Sequence, residues 1–149
     1  MSFQDQLNSK LKAAMREKNK VALESLRAIK SAILLSQTQS GAKGDLDYTE
    51  IIKLLQKLVK QRNESASIFR EQGRVDLAES EESQIEVISQ FLPEQLSTEE
   101  VEKVVDQVVQ SVGATTMKDM GKVMGVVNNQ LAGKSDGKLI AEIVKKRLG

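Results

Sequence analysis

The chain has 149 residues, of which 40% are hydrophobic, 29% charged and only 3% aromatic, and its formal net charge is +1. With no Cys and no His, it has no disulfides, no thiolate chemistry, and neither the commonest general base nor the commonest metal ligand. A length that supports a real core, no apolar run of membrane-span length and no signal-type start over Met1–Lys20 predict a soluble, cytoplasmic protein with an aliphatic core.

Taken in order, the segments repeat their apolar residues with helical period. Phe3, Leu7, Leu11 and Ala14 share one face, as do Ala22, Leu26, Ile29 and Ile33. A polar stretch from Ser40 to Asp47, with Gly41 and Gly44, reads as a loop. Ile51, Leu55, Leu58 and Val59 resume the period, and Phe69 extends it. Gly73 is the expected C-terminal cap of that helix, with Asp76 near the start of the next. Leu77, Ile85, Ile88 and Leu92 form the fourth stripe. The single proline, Pro93, disfavours helix at Leu92. Ser97-Thr98-Glu99-Glu100 is a capping box that opens a new helix. A helix stop followed at once by a helix start places a domain boundary at residues 93–96.

Three shorter stripes follow. Val101, Val104, Val105, Val108 and Val112 are valines, which favour strand. Polar pairs separate them, however, so the period is that of a helix. Met117, Met120, Met124, Val127 and Leu131 make the second stripe, and Leu139, Ile140, Ile143 and Val144 the third. The expected fold is all-α. An N-terminal domain, residues 1–92, has about four helices in two hairpins, the second pair long. A small three-helix domain occupies residues 97–149.

Charge is distributed in blocks. Residues 1–75 carry a net +6, residues 76–106 a net −9 and residues 107–149 a net +4. That order fits opposed docking faces, or simply solvated helix surfaces. The acidic pairs Glu81-Glu82 and Glu99-Glu100 point about 100° apart on a helix, so they do not converge on one substrate atom. Gly133-Lys134-Ser135 lacks the first glycine of a phosphate loop, because Asn128 stands there inside a predicted helix. No catalytic residue, metal ligand or cofactor is therefore assigned.

The C-terminal segment is the candidate binding region. Gly121 and Gly125 lie four apart on one predicted helix, where each glycine costs about 0.5–1 kcal/mol relative to Ala. Two reasons for them stand open: close helix–helix packing, or close backbone approach by a ligand such as phosphate. Lys122 lies between them. Lys134 and Lys138 flank the start of the last helix, where free N–H groups favour anions, and Gly133 and Gly137 are further points of close approach. Lys145, Lys146 and Arg147 add positive charge at the far end, which equally complements the helix dipole.

Several of these motifs occur together in one known family. Met117-Lys118-Asp119-Met120-Gly121-Lys122-Val123-Met124-Gly125, followed by Ala132-Gly133-Lys134-Ser135-Asp136-Gly137-Lys138, resembles the C-terminal tail of the GatB/YqeY family. Ser25–Ala32, Lys60–Ala66, Gly73–Glu79 and Phe91–Leu96 resemble its earlier motifs, in order, so the resemblance spans nearly the whole chain as a stand-alone YqeY-type protein. It implies the two-domain helical layout. It also implies a relation to the B subunit of the glutamine-dependent Asp/Glu-tRNA amidotransferase, a carbon–nitrogen ligase whose tail unit helps hold tRNA. On that basis Lys122, Lys134, Lys138, Lys145, Lys146 and Arg147 are expected to contact RNA. The catalytic part of that enzyme has no counterpart here, so any activity is expected only with a partner subunit. Expected partners are tRNA and an amidotransferase or aminoacyl-tRNA synthetase, with neither membrane nor DNA. The alternative is a helical adaptor that docks on tRNA-processing enzymes.

Overall fold

The computed structural model describes residues 2–40 and 46–149. Among them every regular element is helical: α1 (Phe3–Glu17), α2 (Lys20–Ser40), α3 (Tyr48–Glu71), α4 (Val75–Ser89), α5 (Thr98–Val112), a 3-10 turn (Met117–Asp119), α6 (Met120–Gln130) and α7 (Gly137–Leu148). The all-α expectation holds. Gly41–Asp45, the centre of the predicted loop, lie outside the described residues. Internal contacts divide the chain into two compact units, Met1–Leu92 and Pro93–Gly149.

In the first unit α3 and α4 form the most extensive contact, α4 also lies on α2, and α1 packs on α2. Leu7, Leu26, Ile29, Ile33, Ile51, Leu55 and Ile88 build its core, each contributing roughly 1.5–3 kcal/mol through burial. The sequence stripes contain all seven of these positions. Polar side chains link the helices around this core: Arg62 donates to Gln84 at 2.9 Å, Gln84 donates to Glu24 at 3.4 Å, and Arg70 donates to Glu82 at 2.6 Å. The two long helices are α2, with 21 residues, and α3, with 24, whereas α4 has 15. The second predicted hairpin is thus long on one side only. α4 also stops short of Pro93, where Gln90, Phe91 and Leu92 each donate to a carbonyl three residues back. This tightens the chain before Pro93.

Helix ends follow from a few side chains. The N–H of Gly73, at φ +75°, donates to Arg70 and that of Arg74 to Phe69, which closes α3 in a Schellman turn. Lys18 closes α1 the same way at φ +56°. Asn19 then caps α2 by accepting from the Ala22 N–H at 3.1 Å. Two residues therefore make the whole α1–α2 connection.

The second unit is a triangle in which α5, α6 and α7 each contact the other two. Its core is Val101, Val105, Val108, Val123, Val127, Leu131, Ile140, Ile143, Val144 and Leu148. The capping box forms as expected, with Ser97 and Glu100 exchanging hydrogen bonds of 3.2 Å. Leu96, just before the cap, packs against the same core as a hydrophobic staple. On α6 the buried pair is Val123 and Val127. Met117 is exposed, and Met120 and Met124 are only partly buried. The expected stripe is thus buried at Val127 and Leu131, with Met120 and Met124 lining the edge of the core and Val123 added to it.

Candidate functional site

The buried face of α6 fixes what its other face must do. Val123 and Val127 point into the core, so Gly121 and Gly125 point outward. A Cβ added at either glycine would meet nothing within 4 Å. Helix–helix packing therefore does not account for these glycines. Asn128 and Asn129 are exposed on the same side, three and four residues beyond Gly125. Sequence patterning did not single them out, although that spacing alone marks them. Lys122 is exposed next to the glycines.

Just before α6 a carboxylate is already engaged by the backbone. Asp119 accepts from the N–H groups of Thr115 at 3.0 Å and Thr116 at 3.4 Å. Those bonds, with Lys122 as a weaker influence, hold its carboxyl below the ordinary carboxylate range. At the start of α7, Asp136 is the N-cap and accepts from the Lys138 N–H at 3.2 Å. There a carboxylate thus occupies the position that an incoming phosphate would take, and the lysine side chains, rather than that helix terminus, offer positive charge. Asp119, by contrast, turns back to residues before α6 and caps none of its N–H groups.

Lys134 and Lys138 are exposed on either side of this cap, and a Cβ at Gly137 would meet open space. Gly133 has a separate explanation. Its φ of +76° is left-handed backbone, which glycine adopts without cost. Its carbonyl accepts from the Gln95 side chain at 2.6 Å, and the Lys134 carbonyl accepts from the Leu96 N–H at 2.9 Å. These bonds stitch residues 95 and 96 to the α6–α7 turn.

Lys138, Lys145 and Lys146 project from α7 into solvent. Lys138 and Lys145 are seven residues apart, hence on one face and about 10 Å apart along the axis. Among the described residues none of Lys122, Lys134, Lys138, Lys145 and Lys146 makes an ion pair. Arg147 does. It reaches Asp106 at 2.6 Å and Glu102 at 3.9 Å on α5, and the hydrogen bond to Asp106 raises its pKa further. Arg147 therefore ties α7 to α5. This pairing joins different helices, so spacing in sequence could not show it.

The assembled surface has exposed lysines, accessible backbone and amides. Among the described residues it holds no nucleophile beside a base, and no group of three or more acidic side chains is placed to hold a metal. No helix among them is long and apolar enough to cross a membrane. Such a surface has the chemistry to meet an anionic chain.

Comparison with known proteins adds relatives. A mitochondrial protein of Pyrenophora tritici-repentis, named altered inheritance of mitochondria protein 41, is 32% identical over 96% of this chain and 79% of its own length. Its namesake from Clavispora lusitaniae is 31% identical over 81% of this chain and 69% of its own. One subunit of the glutamyl-tRNA(Gln) amidotransferase of Thermococcus gammatolerans is 40% identical over 57 residues, 36% of this chain and 9% of that polypeptide. Four relatives bear mitochondrial names, which overturns the expectation of a cytoplasmic protein. The expectation rested on the lack of Cys, of a membrane-span run and of a secretory-type start, none of which is specific to the cytoplasm. A family model described as Yqey-like protein matches residues 4–148, and the chain belongs to that family.

Proposed function

We propose that this protein is a tRNA-associated accessory protein whose α6–α7 surface grips the sugar–phosphate backbone and which is not catalytic alone. The observation that carries the reading is the outward-facing pair Gly121 and Gly125. Each costs helix stability, and a Cβ at neither would touch any described residue. Bare backbone beside Lys122, Asn128 and Asn129 lets a polar chain approach closely. Lysines that bear no ion pair among the described residues supply the charge that phosphates require. Recognition of this kind is by shape and backbone, which suits a chain with almost no aromatic residues. The partial identity with an amidotransferase subunit named for glutamyl-tRNA(Gln) supports tRNA as the RNA, and an amidotransferase or aminoacyl-tRNA synthetase as the associated enzyme. Gly125→Gln tests the reading. The variant should fold at least as well as the parent, because the added side chain enters open space. Its affinity for fluorescent tRNA should fall roughly tenfold or more, the size of one or two hydrogen bonds to the RNA backbone. Unchanged affinity would remove α6 from the interface.

A further inference from the structure

The first unit has its own concentration of positive charge, where α1 turns into α2. Lys12, Arg16, Lys18 and Lys20 fall within nine residues, with Glu17 the one acidic neighbour. All four are exposed. None of them forms an ion pair among the described residues, whereas Arg70 and Arg74 on this unit are both matched to carboxylates. Lys18 is also the one described non-glycine residue with positive φ, at +56°. A glycine would satisfy the same Schellman turn without the left-handed penalty. A lysine at a position that favours glycine is an outlier of the kind that points to use of the side chain.

We infer that this α1–α2 corner is a second phosphate-binding surface, contacting the sugar–phosphate backbone of the same RNA that the second unit holds. The assignment rests on the RNA-binding role of the second unit. The chemistry favours a phosphodiester chain over a bilayer. A helix that lies on lipid needs an apolar face to bury. The apolar face of α1 is already spent, with Leu7 and Ala14 in the core and Phe3 and Leu11 packed against it. Among the described residues of the corner itself, only Met15, 58% exposed, and Val21, 39% exposed, remain outward, too few for insertion. Long flexible cations around a tight turn match regularly spaced phosphates and require no base readout.

The test compares tRNA binding across a salt series for three full-length proteins. These are the parent, a corner variant (Lys12→Ala, Arg16→Ala, Lys18→Gly, Lys20→Ala) and a C-terminal variant (Lys122→Ala, Lys134→Ala, Lys138→Ala). Removing a cation that pairs with a phosphate should lower the slope of log affinity against log salt by about 1. With four cations removed, the corner variant's slope should therefore be shallower by roughly 3–4. Lys18→Gly alone should bind tRNA more weakly while its Tm stays equal to or above the parent's, which separates weakened RNA binding from unfolding. A corner slope equal to the parent's, with the C-terminal variant reduced, overturns the corner and leaves the RNA role of the second unit standing. No tRNA binding by the parent at low salt ends both. Vesicles of phosphatidylcholine with phosphatidylserine form a further arm, and corner-dependent binding there with tRNA binding unchanged also overturns the assignment.

Discussion

Gly113 and Gly125 are both small, exposed residues of the second unit, yet the backbone asks opposite things of them. Gly113 ends α5 at φ +69°, so Gly113→Ala forces a side chain into left-handed backbone. It should cost about 1–2 kcal/mol in a urea melt. Gly125 sits mid-helix with open space around its Cα. Gly125→Ala should instead raise stability by about 0.5–1 kcal/mol. Destabilisation by both changes would mean that the α6 glycines serve the fold after all. Lys18→Gly belongs with the stabilising class, at about 1 kcal/mol or less once the entropy of the unfolded glycine is subtracted. Asp119 carries the pH dependence of this region. Its carboxyl is held below the ordinary range by two backbone N–H groups and, more weakly, by Lys122. A lowered folded-state pKa means that its contribution is complete above the unfolded value of about 4 and is lost as pH falls below it. Asp119→Asn should therefore destabilise the protein at pH 7, and the difference from the parent should shrink below about pH 4.

Among the elements, α5 is the most legible from sequence, and its cap carries the clearest energetic prediction. Ser97→Ala removes the acceptor for the Glu100 N–H and should cost about 1 kcal/mol, seen as faster amide exchange in the first turn of α5. The capping box, Pro93 and Gly73 are readable because each acts through its immediate neighbours. The α6 face is less so. Apolar residues at 117, 120, 123, 124, 126 and 127 admit more than one helical phase. Packing against α5 and α7 selects the phase with Val123 and Val127 inside. Arg147 shows the same limit, because a terminal cation looks available until α5 presents Asp106 beside it. The lysines of the candidate surface are identifiable from the sequence. The openness of Gly121 and Gly125, and the carboxylate that caps α7, require three-dimensional placement.

For the molecule as a whole, two separate cores organise the chain. Ile88 is fully buried in the first, and Ile88→Ala should cost about 2–5 kcal/mol. The effect should appear as weakened amide protection in α1–α4 while α5–α7 keep theirs. Equal weakening in both units would mean that they unfold as one. Charge has the same block character: the first 75 residues and the last 43 are each net basic, and the stretch between them is acidic. A near-neutral total therefore conceals two surfaces able to meet a polyanion. The role proposed here for the second unit is RNA binding. Titrating fluorescent bulk tRNA with the parent and with Lys122→Ala, Lys134→Ala, Lys138→Ala tests it most directly, at low salt and then at rising salt. Binding should fall steeply with salt and be weaker in the triple variant. No binding at low salt, or identical curves for the two proteins, would contradict the claim.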